Sequence, residues 1–360
     1  MLSANSFGRF LTMTTFGESH GPALGVVLDG VPPGLALDVA KVQAALDRRR
    51  PGTSTVTSPR SEADRLEVLS GLYEGTTTGA PLAMIFRNAD ADASAYLALK
   101  DVYRPGHADF TYHQKYGLRD PRGGGRSSGR ETIARVAAGA VASQVLAEWR
   151  VTVLGWVAQV QDVVAEAFDP AVIDANPVRC PDPVAAEAMV ARIEAAADAG
   201  DSVGGRIRVR AENVPVGLGD PVFAKVDAAL AGALMSIGGV KAVEIGAGCA
   251  VAGRRGSENN DQQDRTGYLS NHAGGVVGGI SNGAPLEVAL SVKPTPSIGR
   301  PQKTVDVDGV ERTIEVAGRH DPCLCPRIVP VAEAMVALCL ADALLAQRAL
   351  GREPPKGGQP

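Results

Sequence analysis

Apolar residues recur at three- and four-residue spacing over residues 38–49, 130–148, 183–199, 220–236 and 331–349, a period that predicts five helices. Asp38 and Asp220 open two of these stretches and suit the N-cap position, where a carboxylate accepts from the first free N–H groups. The run Gly205-Arg-Ile-Arg-Val-Arg-Ala alternates strictly and predicts a half-buried strand with one polar face. Residues 328–346 form the most apolar late segment. Pro330, Glu333 and Asp342 interrupt it, leaving it short of the roughly 20 apolar residues that span a bilayer. The N-terminus lacks the basic start and long apolar core of a secretory signal.

The pattern also repeats. Val31-Pro32-Pro33-Gly34-Leu35 precedes Ala40-Lys41-Val42, and Val214-Pro215-Val216-Gly217-Leu218 precedes Ala224-Lys225-Val226, offset by about half the chain. Gly79-Ala80-Pro81-Leu82 has a later counterpart in Gly283-Ala284-Pro285-Leu286. Each copy reads as strand, tight turn, helix and a further strand, since Pro fixes φ and Gly permits a sharp reversal. The expectation is two similar α/β halves, roughly residues 20–90 and 205–295, related by a pseudo-two-fold within one domain of residues 1–350. A loose tail covers 351–360.

Composition narrows the function. Charged residues make up 21% and the net charge is −4, so any anion binding must come from local basic clusters rather than a global basic surface for nucleic acid. Aromatic residues are only 4%, too sparse for a base-stacking platform. Five cysteines in 360 residues lack the density of a disulfide scaffold and point to a reduced, cytoplasmic setting. Cys323-x-Cys325 lacks the spacing of a zinc ribbon, so no metal is expected.

The strongest chemical signal is Arg119-Asp-Pro-Arg122-Gly123-Gly124-Gly125-Arg126-Ser127-Ser128-Gly129-Arg130, which runs directly into a predicted helix. Exposed N–H groups, hydroxyls, guanidinium groups and a helix N-terminus together form a cradle for phosphate or carboxylate. The GK[ST] ending of a Walker A loop is missing. Arg48-Arg49-Arg50 closes the first helix, where cations are favourable anyway; the three cannot share one face, so at least one is left for an anionic ligand. His20, in Gly17-Glu18-Ser19-His20-Gly21, and His107, in Arg104-Pro105-Gly106-His107, lie in glycine-rich turns and titrate near neutrality, as proton transfer to a leaving group requires. Lys293-Pro294-Thr295-Pro296-Ser297 is a rigid polar turn carrying a cation. Beside an enzyme that uses these groups for proton transfer, a non-catalytic anion-binding module and a phosphoryl transferase remain open.

Three segments, 16–35 (FGESHGPALGVVLDGVPPGL), 104–132 (RPGHADFTYHQKYGLRDPRGGGRSSGRET) and 319–345 (RHDPCLCPRIVPVAEAMVALCLADALL), resemble the signature blocks of the chorismate synthase family. The resemblance implies an α+β fold, a β-α-β sandwich with helices enclosed between two antiparallel sheets. It implies anti-1,4-elimination of phosphate from 5-enolpyruvylshikimate 3-phosphate, with reduced FMN as cofactor and a homotetrameric assembly. By the same resemblance His20 protonates the departing phosphate, His107 protonates or neutralises the reduced flavin, and Asp321 assists proton removal through the flavin. Ser19 and Ser128 position protons. Arg126, Ser127, Ser128, Gly238, Gly239, Gly278, Lys293, Pro294, Thr295, Pro296, Ser297 and Arg319 contact FMN, the two glycines at 238 and 239 through backbone alone. Arg49, Arg130 and Arg327 meet the substrate's anions. Thr55 stands where relatives often carry arginine, and no flavin-reductase domain is added. NADPH therefore enters only indirectly, through an external flavin reductase.

Overall fold

The computed structural model describes residues 4–50, 52, 56, 64–88, 97, 99–316 and 320–354. Two five-stranded antiparallel sheets enclose the core helices. The first has strands β1 (Ser6–Phe7), β2 (Thr12–Gly17), β3 (Ala23–Asp29), β4 (Glu67–Val68) and β5 (Leu82–Arg87), in the order β1-β2-β3-β5-β4. The second has β6 (Thr152–Val160), β7 (Val163–Val164), β8 (Gly205–Glu212), β9 (Val240–Ile245) and β10 (Leu286–Val292), in the order β9-β10-β8-β6-β7. In β8 the alternation is realised as expected: Ile207, Val209 and Ala211 are buried, while Arg208 pairs with Glu287 on the other face.

Among the described residues the helices of eight or more residues are α1 (Val39–Arg49), α2 (Asp109–Tyr116), α3 (Thr132–Ala147), α4 (Pro183–Asp198), α5 (Val226–Met235) and α6 (Cys325–Ala349). α3 packs on β3 and β5 of the first sheet, α6 on β6 and β8 of the second, and the two helices pack on each other. Their crossing is close because Gly139 has no side chain; a Cβ there would stand 2.3 Å from Ala334 Cβ. α4 packs against β6 and the edge strand β7.

Three expectations need correction. Asp38 does cap α1, accepting from Ala40 and Lys41 N–H. Asp220, however, lies in a turn closed by its N–H to Ala224 O and pairs with Arg9, so α5 starts only at Val226. The last helix begins at Cys325 rather than Val331, with Pro326 in its first turn and Pro330 carried inside. By length and composition α6 is long and apolar enough to cross a membrane, contrary to the reading of its polar interruptions, but it is the buried central helix. Those interruptions are structural: Asp342 Oδ1 accepts the N–H groups of Arg9, Phe10 and Leu11, and Glu333 accepts from Gly155 N–H and pairs with Arg48. α2 was not anticipated from the apolar period, and most of the C-terminal tail lies outside the described residues.

The repeated sequence is mirrored in hydrogen bonds. Thr77 Oγ1 accepts from Leu35 N–H at 2.9 Å and donates to Pro32 O at 2.6 Å. Ser281 Oγ accepts from Leu218 N–H at 2.9 Å and donates to Pro215 O at 2.5 Å. Thr77 and Ser281 are both buried, so each hydroxyl satisfies polar backbone groups of its turn where water has little access. Thr77→Ala and Ser281→Ala are each expected to cost about 1–3 kcal/mol, the penalty for stranded buried groups, measured by chemical denaturation.

Candidate active site

Three clusters of polar side chains meet between the loops at the ends of these elements. The first surrounds His20. β2 stops at Gly17, and the turn to β3 is closed by Gly21 N–H to Glu18 O at 3.0 Å. Ser19 Oγ lies 3.0 Å from His20 Nδ1. The imidazole packs on the backbone of Gly123, where a Cβ would come within 2.3 Å of Nδ1. Ser128 caps the short 3₁₀ turn Gly129–Glu131 by accepting from Arg130 N–H.

The arginines of the glycine–arginine segment also make contacts within the protein. Arg119 pairs with Asp109 and Arg122 with Asp120. Arg126 donates to Gly17 O, Thr15 O and Thr15 Oγ1, and Ser127 Oγ donates to Gly124 O. Arg126 thus holds the end of β2 to the cradle.

The second cluster surrounds His107. Its Nε2 lies 2.7 Å from Ser297 Oγ. The preceding turn is clamped by Asp109, which accepts from Arg104 N–H at 3.1 Å and from the Arg104 guanidinium at 2.8 and 2.9 Å. Burial, followed by the positive charge of Arg104, pulls the His107 pKa down to about 4; Asp109 opposes this, while Lys293 and His320 add to it. Lys293 Nζ donates to Gly106 O at 2.7 Å, and Lys293 N–H to Gly239 O at 2.9 Å. Thr295 Oγ1 donates to Asp321 O at 2.6 Å, which brings Asp321 to the same turn. Pro296 packs against Gly106, Pro294 is exposed, and open space lies where a side chain at Gly238 would stand. Gly278 belongs to the hairpin of Val276–Val277 and Ile280–Ser281, whose contacts run to the start of α5. Arg319 and Thr55 lie outside the described residues.

The third cluster joins the other two. Arg49 and Arg130 both pair with Asp64, Arg49 at 2.5 Å, and Arg327 pairs with Asp321 at 2.5 Å. Three guanidinium groups thus face two carboxylates, leaving an excess of positive charge in a buried place. Burial, with Arg327 and Arg130 nearby, pulls Arg49 down to about 10, which Asp64 only partly offsets. Burial pushes the Asp64 carboxyl up, but the two arginines it serves outweigh that and hold it below the usual carboxylate range. Arg49 Nε and Arg327 Nε are buried without a hydrogen-bond partner among the described residues, a state that an incoming oxyanion would relieve. Arg48, by contrast, is structural, bonded to Asp174 and Glu333.

Asp64, Asn88 and Asp109 are residues of the candidate site that sequence reasoning missed. Asp64 and Asn88 carry no local motif, and Asp109 sits in a quoted block where only His107 drew attention. Among the described residues no cluster of three His, Cys, Asp or Glu side chains is placed to hold a metal.

A family model described as chorismate synthase matches residues 11–345. The chain is 53% identical over 352 residues to a chorismate synthase of Syntrophus aciditrophicus, covering 97% of this chain and 99% of the relative. It is 54% identical over 356 residues to one of Methanocella arvoryzae, covering 96% and 95%. Among solved structures, a crystal structure of chorismate synthase superposes with a TM-score of 0.77 at 32% identity, covering 94% of this chain and 93% of that one.

Proposed function

From the premise that the chain belongs to the chorismate synthase family, an enzyme family of the shikimate pathway, we propose that it eliminates phosphate from 5-enolpyruvylshikimate 3-phosphate with reduced FMN bound in the site. The carbon–oxygen bond to phosphate and one ring C–H bond break, a second ring double bond forms, and the products are chorismate and inorganic phosphate. The observation that carries this reading is the arginine cluster, with the unpartnered Nε atoms of Arg49 and Arg327, between two histidine turns. A substrate bearing a phosphate and two carboxylates matches that surplus of positive charge.

His20, steadied by Ser19, is the donor to the departing phosphate, whose charge Arg49, Arg130 and Arg327 balance. Asp321, oriented by Arg327, is the carboxylate that assists removal of the ring proton. Open space at Gly238, the Lys293 ammonium and the stiff Pro294–Ser297 turn fit a planar, anionic cofactor next to His107. Reduced FMN, when bound, supplies an electron-rich ring that stabilises positive charge on the substrate ring as the anion leaves. His107 stands neutral at pH 7, and an anion set against it would counter the cations that depress its pKa. Ser128, Ser127, Arg126, Gly239, Gly278 and Arg319 complete the proposed cofactor surroundings. We further propose a cytoplasmic homotetramer supplied with reduced FMN by an external flavin reductase.

An anaerobic assay of phosphate release from the enolpyruvyl substrate, with and without reduced FMN, tests the proposal: release should require the flavin. Release at the same rate without flavin, or none with it, refutes it. Gly123→Ala, which pushes a methyl into the His20 ring, is expected to slow release by about 10-fold, in line with the cost of small misplacements of a catalytic group. Steady-state kinetics on the purified variant measures this.

A further inference from the structure

We propose that Asn88 is a positioning residue that sets His20 in register with the anion-binding arginines. Asn88 directly follows β5, and its backbone N–H donates to Pro22 O at 3.1 Å. Its side-chain nitrogen faces three carbonyls of the His20 turn: Gly21 O at 2.7 Å, and Glu18 O and Ser19 O at 3.3 Å each. Its side-chain oxygen accepts from Arg130 Nε at 3.2 Å. Carbonyls can face only the NH₂ end of a carboxamide and a guanidinium only its oxygen, so this network dictates the orientation of the amide.

The consequence is mechanical coupling. Arg130 is also held by Asp64, which holds Arg49, so one planar group ties the His20 turn to both arginines. Aspartate would keep the acceptor for Arg130 but set an anionic oxygen against three carbonyl oxygens. Alanine would release both sides, and neither variant alters a group assigned to touch substrate. The inference rests on the proposed phosphate elimination for its catalytic meaning, while the coupling itself is independent of it.

The test uses the full-length enzyme with Asn88→Asp and Asn88→Ala. In both, kcat for phosphate release is expected to fall by about 10–100-fold with a smaller change in KM, the mark of a misplaced catalytic group. Amide exchange at Gly21 should accelerate at least about tenfold, since the bond to Glu18 O loses its support, while core amides of α3 and α6 stay protected. The NMR titration of His20 should shift in the same variants. Wild-type kcat in Asn88→Asp, or an unmoved Gly21 exchange rate and His20 titration, overturns the inference. If Asn88→Ala does not fold, Asn88→Asp alone decides. If the unmodified enzyme releases no phosphate, the functional reading fails, and the exchange and titration data still decide whether Asn88 positions His20.

Discussion

Asp64→Ala is expected to lower the free energy of unfolding by about 3–5 kcal/mol, the cost of leaving a buried charge without its partner. Asp64 is the shared carboxylate of Arg49, which is 1% exposed, and Arg130. Without it, like charges confront one another in a place with little water. Denaturant titration at pH 7 measures the loss, and the double variant Arg49→Met/Asp64→Ala should recover part of it, because the stranded charge is gone. The pH dependence has a definite sign. Asp64 titrates below its unfolded value, so its contribution is complete above about pH 4 and fades as the pH falls further through the folded pKa. Asp64→Ala should be less sensitive to pH in that acid window than the parent.

His107→Ala should slow turnover by about 100-fold or more, the scale of a lost acid–base group. Near-normal phosphate release with saturating reduced FMN would contradict the role assigned to His107. A second readout needs no cofactor. Burial and Arg104 pull the folded pKa to about 4, whereas an unfolded histidine titrates near 6.5. Between those values the unfolded chain takes up a proton that the folded chain refuses, so stability contributed at neutral pH is lost as the pH drops through this window. His107→Gln should flatten that part of the stability curve, measured by denaturation between pH 7 and 4.

We infer that the two halves of the chain arose by internal duplication. The Thr77 and Ser281 hydroxyls make the same pair of bonds to the same turn positions, which chance similarity in an alanine-rich sequence would not require.

The sequence by itself determined the local features. Periodicity located α1, α3 and α4 nearly to the residue, and alternation located β8, because both follow from which positions must face a core. His20 and His107 were recognisable because glycine-rich turns and unusual signature blocks are contiguous in the chain. Only the tertiary structure decided which charges are spent on the fold. Arg48 and Arg49 are neighbours in sequence, yet one is bound to Asp174 and Glu333 while the other reaches Asp64 beside Arg130 and Arg327. Arg126, read as a ligand for an anion, also secures the end of β2, a contact between distant segments that no local motif announces. Asp64 and Asn88 could not be picked out in advance, since a hydrogen bond or ion pair between distant segments depends on the packing of the sheets and leaves no period or spacing in the chain.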